Sequence, residues 1–409
     1  MVSPLGLDAE SSWRAILDCQ SGVSRIDSFD SSDLPTTIAA SVKGFDATRY
    51  MSSKEARRNP PFINFALAVA HEAIEESGLQ LDVEDLTRIG VEIGSAMGGS
   101  SLVEEQRLVL EQAGLRQVNP SLIPSIIINA AACRVAIRYG FRGPVNSPAA
   151  ACTTGAIAIG DAARRLAWGD ADVILAGGTD SVMTPLGIGG FSRLGACSTR
   201  NHIPEQACSP FDADRDGTVV GEGAAVLVLE TLSHALQRGA VILAELVGYG
   251  FTCDAYNAAA PDPSGAGAAG AIRLALSDAG LSPSDLDWVC AHGTGTPLND
   301  LSETRALKAA LGELAYQVPV SSLKGGLGHT LGAAGSMAAV MVLKALRDKK
   351  IPPTLNYRTP DPDCDLDYVP NQPRSANVNT VLLNSFGIGG QNACLVLREW
   401  KVFDECSQS

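Results

Sequence analysis

Short apolar runs alternate with helix-period segments along almost the whole chain, and this alternation constrains the fold more than any other feature. A helical pattern runs from Pro60 to Ser77, with proline near its first turn and Gly78 as its stop. A strand is expected near Val91–Ser95, and Ile123–Tyr139 reads as one buried helix. Val173–Ala176, Ala225–Leu229 and Val241–Tyr249 read as buried strands. Helix Ala266–Ala279, strand Trp288–Ala291, helix Leu301–Leu311, strand Val318–Ser321 and helix Leu331–Leu346 continue the pattern. Two strands, Val381–Asn384 and Ala393–Leu397, follow. Such β/α alternation implies α/β layers and disfavours a helical bundle or an all-β sandwich.

No low-complexity linker divides the 409 residues. The polar stretch Ser233–Gly239 is the natural break, giving halves of residues 1–236 and 237–409. No sequence repeat relates the two. With 45% hydrophobic residues the chain can bury a sizeable core. Its net charge of −14 argues against phosphate-backbone binding, so no nucleic-acid partner is expected. No apolar run is long enough to span a membrane. Met1–Gly6 lacks the basic-then-apolar order of a leader, which fits a protein of the cytoplasm or an organelle matrix, mitochondrial included.

Ten cysteines are scattered without CxxC or zinc-finger spacing, so neither disulfide staples nor a metal site is expected. Most should act as small buried apolar groups. Cys152 differs. It lies in Ala151-Cys152-Thr153-Thr154-Gly155, between small residues and a helical pattern (Ile159, Ala163, Leu166). A helix N-terminus favours thiolate, and a backbone N–H at such a turn can stabilise an oxyanion. A buried structural thiol is the alternative for any single cysteine.

Two of the five histidines sharpen the choice. His292 follows a strand in His292-Gly293-Thr294-Gly295-Thr296-Pro297, and His329 lies in Lys324-Gly325-Gly326-Leu327-Gly328-His329 between strand and helix. Loops at strand ends are where α/β sheets build their sites. His71 reads as a packed or surface helix residue, and His202 and His234 as solvated. The glycine strings lack Walker or GxGxxG spacing, which sets nucleotide binding aside.

Together these segments resemble the elongating, type II class of β-ketoacyl-[acyl-carrier-protein] synthases. The motifs run in order through nearly the whole chain. They include Ser3-Pro4-Leu5-Gly6, the Cys152 segment, Asp172–Asp180, Pro210–Gly223, the His292 segment, Lys324–Gly335, Asp365–Asn371 and Asn384–Asn392. The resemblance implies the thiolase-like fold, with duplicated α/β halves stacked as a five-layer αβαβα sandwich, and a homodimer. It also implies that Cys152 takes an acyl group from an acyl carrier protein and that malonyl carrier protein then supplies the extender carbons. His292 and His329 would donate N–H bonds to the enolate, and the backbone N–H groups of Cys152 and Phe386 would form the oxyanion hole. Lys324 would orient the site, with Asp300 or Glu303 as its charge partner. Thr294 and Thr296 would meet the pantetheine arm, and Phe386 with Gly387 would form the gate. Met97 and Phe386 would border the acyl pocket. Lys54, Arg57 and Arg58 would dock the acidic carrier. No cofactor is expected beyond the phosphopantetheine that the carrier brings as part of the substrate.

Four departures from the pattern stand out. An apolar strand that usually precedes Ser3-Pro4 is absent, which removes ~1.5–3 kcal/mol of burial per large side chain unless another segment fills the gap. Ala338 stands where a glutamate usually helps hold the lysine. Gly295 replaces a serine, and Ile388 and Gln391 replace Phe and Thr near the gate. Polyketide ketosynthases also lack that acid, and the Gly295 form of the motif is common among them. Three readings follow: a fatty-acid elongating synthase, a polyketide ketosynthase, or a non-catalytic chain-length partner of the same fold. The retained Cys152 weighs against the last.

Overall fold

Residues 1–401 are described by a computed structural model of the chain. The first sheet contains β1 (Ile89–Gly94), β2 (Val145–Asn146), β3 (Val173–Asp180) and β4 (Gly223–Glu230) in the order β2-β1-β3-β4. β1 runs parallel to both neighbours and β4 antiparallel to β3. The second sheet contains β5 (Ala244–Cys253), β6 (Trp288–Cys290), β7 (Val320–Ser321), β8 (Thr380–Phe386) and β9 (Gln391–Glu399) in the order β5-β9-β8-β6-β7. Strand order and direction in β7-β6-β8-β9 repeat those of β2-β1-β3-β4, so the two sheets are copies of one plan.

Helices complete five layers. α1 (Pro61–Ser77) and α2 (Ala130–Tyr139) cover the outer face of the first sheet. α3 (Thr154–Ala167) and α6 (Ala334–Asp348) pack together between the sheets. α4 (Ala266–Asp278) and α5 (Pro297–Leu311) cover the second sheet from outside. Ile157, Ile159 and Leu166 of α3 and Met337, Val340 and Met341 of α6 share one buried core. Each such side chain contributes about 1.5–3 kcal/mol by leaving water. The central helices meet almost backbone to backbone: a Cβ at Gly155 would stand 2.7 Å from the Ser336 nitrogen, and one at Gly335 2.6 Å from that of Ala156. Only glycine allows that approach.

Both central helices start the same way. α3 follows the tight turn Ala151–Thr153, whose first residue has φ +47°, and α6 follows Leu331–Ala333, whose first residue has φ +51°. Cys152 and Gly332 therefore occupy matching positions in the two halves.

Several expectations are corrected. The apolar stretch Ile123–Tyr139 is not one buried helix. It breaks at Ile127, which is extended, and Ile123 and Ile137 are 66% and 74% exposed. Ala130–Ala132, Val135 and Ala136 are core, while Ile123, Ile127 and Ile137 are exposed. Ala225–Leu229 is buried only in its first half, because the outer edge of β4 carries a single bridge, Val2 to Ala224, among the described residues. Among the described residues no other strand pairs along that edge. Six of the described cysteines are buried, but Cys19 and Cys253 are exposed, and Cys406 lies outside the described residues. His202 is exposed as expected, whereas His234 is held between Glu84 and Glu230 at 2.9 and 2.8 Å. The sequence separation of 150 residues hid the first of those partners.

Candidate active site

Cys152 sits at the start of the central helix layer, 5% exposed, with Sγ 3.1 Å from Nε2 of His329. Its backbone oxygen accepts from Ser385 Oγ at 3.0 Å, which ties the turn to β8. The helix N-terminus does not make this thiol acidic. Burial dominates and pushes it up to about 11, against the opposing pull of the Ile388 N–H and the Lys324 charge. The resting group is a neutral thiol, which corrects the thiolate inferred from sequence.

His329 is fixed through its backbone. Its N–H donates to Val219 O at 2.7 Å and its carbonyl accepts from Gly221 N at 2.8 Å. Its Nδ1 has no hydrogen-bond partner. His292 stands beside it, the rings 5.4 Å apart and nearly perpendicular. Phe386 completes the cluster, with its ring 5.8 Å from that of His292. Burial and the nearby Lys324 charge hold both imidazoles well below their ordinary range, so both are neutral.

Lys324 is buried at the start of a short helix (Lys324–Leu327). Its Nζ donates to the carbonyl of His292 and lies 3.4 Å from that residue's Nδ1. An ammonium facing Nδ1 leaves the ring proton on Nε2. Neither proposed acid lies within ion-pair distance of Lys324, whose pKa burial lowers, although the Glu303 charge opposes that shift. Asp300 accepts from Phe211 N and Gly295 N and faces Arg215 at 3.6 Å. Glu303 accepts from the backbone N–H groups of His292 and Gly293, at 2.8 and 2.7 Å, and from Asn384 at 3.1 Å. Both acids have gone to backbone donors, which buried loops otherwise leave unsatisfied. Next to Ala338, the lysine borders a cavity of about 20 Å³, also lined by Met337 and Thr330.

The remaining predicted residues fall into three groups. Thr294 and Thr296 share a hydrogen bond of 2.8 Å at the entrance to α5, where Thr296 also caps the helix. Gly387 brings the gate strand close to the nucleophile: a Cβ there would stand 3.5 Å from the Cys152 nitrogen. Met97 is 41% exposed, and its backbone N–H donates to Asp180 Oδ1 at 3.0 Å. Lys54, Arg57 and Arg58 lie exposed on a short helix (Ser53–Arg58), far from Cys152 in sequence and not in contact with it. Sequence reasoning missed Ser385, Asn384 and Asp180. The charge ending the apolar run Val173–Asp180 was the one legible signal among them.

A neutral thiol, two neutral imidazoles and one buried ammonium in a thiolase-like sandwich define a cysteine-dependent acyl-transferring condensing enzyme. The family models agree: "Beta-ketoacyl synthase, N-terminal domain" matches residues 1–235 and "Beta-ketoacyl synthase, C-terminal domain" residues 243–358. The chain belongs to the β-ketoacyl synthase family. It is 46% identical over 404 residues to the 3-oxoacyl-[acyl-carrier-protein] synthase 2 of Coxiella burnetii, covering 99% of this chain and 97% of that protein. Among solved structures, a ketosynthase in complex with a type II polyketide acyl-carrier protein superposes with a TM-score of 0.90 at 34% identity, covering 98% of this chain and 97% of that one. A β-ketoacyl synthase from Burkholderia phymatum superposes at 0.89 with 33% identity and the same coverage.

Proposed function

We propose that the protein condenses an acyl group held on Cys152 with malonyl-[acyl-carrier-protein], giving 3-oxoacyl-[acyl-carrier-protein] in fatty-acid elongation. The observation that carries this reading is the contact of Cys152 Sγ with His329 Nε2, beside a His292 whose Nδ1 faces Lys324. In the first step Sγ attacks the acyl thioester. The carbonyl–sulfur bond to pantetheine breaks, and the thiol proton passes to the leaving sulfur. Malonyl carrier then loses CO2, and the electron pair of the broken carbon–carbon bond forms an enolate. Nε2–H of His292 and of His329 donate to the enolate oxygen. The enolate carbon attacks the Cys152 thioester. The backbone N–H groups of Cys152 and Ile388, the two that reach Sγ, hold the second oxyanion in place of the Phe386 N–H expected from sequence, Sγ leaves, and one proton from solvent restores the thiol.

Residues 1–236 supply the nucleophile in this scheme, and residues 237–409 the histidines, the lysine and the gate. Thr294 and Thr296 receive the pantetheine arm, which arrives with the substrate as the only prosthetic group the chemistry uses. Lys54, Arg57 and Arg58 give an otherwise acidic protein a basic face for an acidic carrier. Among the described residues no helix is long and apolar enough to cross a membrane, in keeping with carriers free in the cytoplasm or an organelle matrix. We also infer a homodimer. Val145 on the short edge strand β2, with Ile123, Ile127 and Met97, leaves an apolar surface for a second copy, which would close the acyl pocket over Met97. The curated relatives favour fatty-acid over polyketide chemistry, since the 46% identity to a 3-oxoacyl synthase exceeds the 34% to the polyketide ketosynthase.

The test is purified protein with acyl- and malonyl-carrier protein, read by intact-protein and product mass spectrometry. An acyl adduct on Cys152 followed by 3-oxoacyl product is expected. Absence of both with competent carriers overturns the reading.

A further inference from the structure

Asp180 is the charged end of an apolar strand, and nothing in the condensation described above uses it. It closes β3, is 0% exposed and has no basic partner among the described residues. Its carboxylate instead takes four donors from two loops. Oδ1 accepts from Ser95 Oγ at 2.7 Å and Met97 N at 3.0 Å. Oδ2 accepts from Ala96 N at 2.9 Å and Gly332 N at 2.7 Å. Ser95 also accepts from Gly98 N at 2.8 Å, so one carboxylate organises the whole Ser95–Gly98 turn.

The second loop is the one that carries His329. Gly332 lies in the strained turn that opens at Leu331 and leads into α6. A Cβ at Gly332 would stand 2.4 Å from Asp180 Oδ2 and 2.7 Å from Ala96 N, so the two loops are in backbone contact through this carboxylate. Gly332 is also the counterpart of Cys152 in the duplicated fold. The N–H that in the first half belongs to the nucleophile here donates to the Asp180 carboxyl, which burial pushes up from the ordinary carboxylate range while its four donors favour the charged form. The negative charge lies close enough to Cys152 to oppose ionisation of its thiol.

We propose that Asp180 is a positioning residue that locks the acyl-chain loop at Met97 to the His329 loop, so that acyl length and the reactivity of Cys152 are set together. The inference rests on the condensing reading above, because it assigns Met97 to the acyl side. Four bonds to a single ion make the lock stiff: each hydrogen bond to a charged group is stronger than one between neutral groups. Asparagine keeps the shape but offers one oxygen and no charge. It would leave donors of one loop unpaired and remove the anion behind Cys152.

The experiment compares wild type, Asp180→Asn and Ser95→Ala as intact full-length proteins. Acylation of Cys152 by hexanoyl- and palmitoyl-carrier protein is measured, together with the rate of Cys152 alkylation by iodoacetamide at fixed pH, located by peptide mass spectrometry. The ratio of long- to short-chain acylation should shift about tenfold in Asp180→Asn, with a smaller shift in the same direction in Ser95→Ala. Alkylation of Cys152 should be faster in Asp180→Asn while buried Cys208 and Cys290 stay unreactive. A merely structural carboxylate would lower thermal stability yet leave both the ratio and the alkylation rate of the folded protein unchanged, and that result overturns the proposal. If Asp180→Asn does not fold, an unchanged chain-length ratio in Ser95→Ala overturns it. A wild type that is never acylated instead defeats the condensing reading itself.

Discussion

Lys324 turns its ammonium toward His292 rather than toward any carboxylate, with Nζ 3.4 Å from Nδ1 and bonded to the same residue's carbonyl. The lysine therefore acts through the histidine's tautomer. His292→Ala should leave acylation of Cys152 nearly intact while slowing malonyl decarboxylation roughly 10²–10³-fold, the range for loss of one oxyanion donor. Lys324→Met should impair the same step, and less severely. Single-turnover acylation and CO2 release, measured separately, check the split. Equal loss of both steps would show that Lys324 and His292 serve the nucleophile instead.

The nucleophile and the decarboxylating pair come from different halves of the chain. Cys152→Ala should abolish condensation but retain release of CO2 from malonyl-carrier protein. Product analysis by mass spectrometry decides it, and unchanged condensation would place the nucleophile elsewhere.

Burial raises the Cys152 thiol from 9.0 to about 11. The alkylation rate of Cys152 should therefore climb roughly tenfold per pH unit from neutral pH to about 10. Stability follows the same sign. Folded-state values near 11 for Cys152 and Cys197 and near 12 for Cys208 and Cys290 lie above the 9.0 of a free thiol. Their contribution is present in full below pH 9 and is lost as pH rises toward 11 and 12. Urea unfolding between pH 7 and 10.5 should show a declining midpoint above pH 9. A flat midpoint would mean that these thiols are solvated in the folded protein.

Glu303 holds the His292 loop by two backbone N–H bonds and Asn384 by a third. Glu303→Gln has one acceptor oxygen where two are needed, so it should lose about 1–3 kcal/mol of stability. The rate of malonyl decarboxylation should fall with it, because the loop carries His292. Chemical denaturation and CO2 release together test this, and a stable, fully active variant would contradict it.

Reversing charge at Lys54, Arg57 and Arg58 should slow carrier-dependent acylation by about tenfold at low salt, with the gap closing as salt is added. Acylation from a small pantetheine thioester should be unaffected. The two substrates assayed side by side distinguish docking from chemistry.

Much of this was legible from local pattern. The β/α alternation, the cysteine at a strand-to-helix turn and the two histidines in glycine-rich loops are written in residues adjacent in sequence, and the structure brings Cys152, His292 and His329 together as those motifs imply. The helix Pro61–Ser77 begins and ends on its proline and glycine signals because such signals act within one turn. Ile123–Tyr139 misled in part because apolar content does not distinguish core positions such as Val135 from exposed ones such as Ile123 and Ile137.

The internal duplication came with the family resemblance and was not legible in the residues themselves. Ala151-Cys152-Thr153-Thr154-Gly155 and Leu331-Gly332-Ala333-Ala334-Gly335 share little beyond the glycine that the crossing of the two helices demands. The chain alone determined which side chains could do the chemistry, since nucleophile, donor and ammonium are properties of residue type. Only the tertiary structure decided their states. It made the thiol neutral, gave the hydrogen bonds of both acids to other donors than Lys324, and set Asp180 between two loops. Desolvation and hydrogen bonding depend on neighbours that sequence holds 150 residues or more apart, such as Gly332 and Asp180, separated by 152.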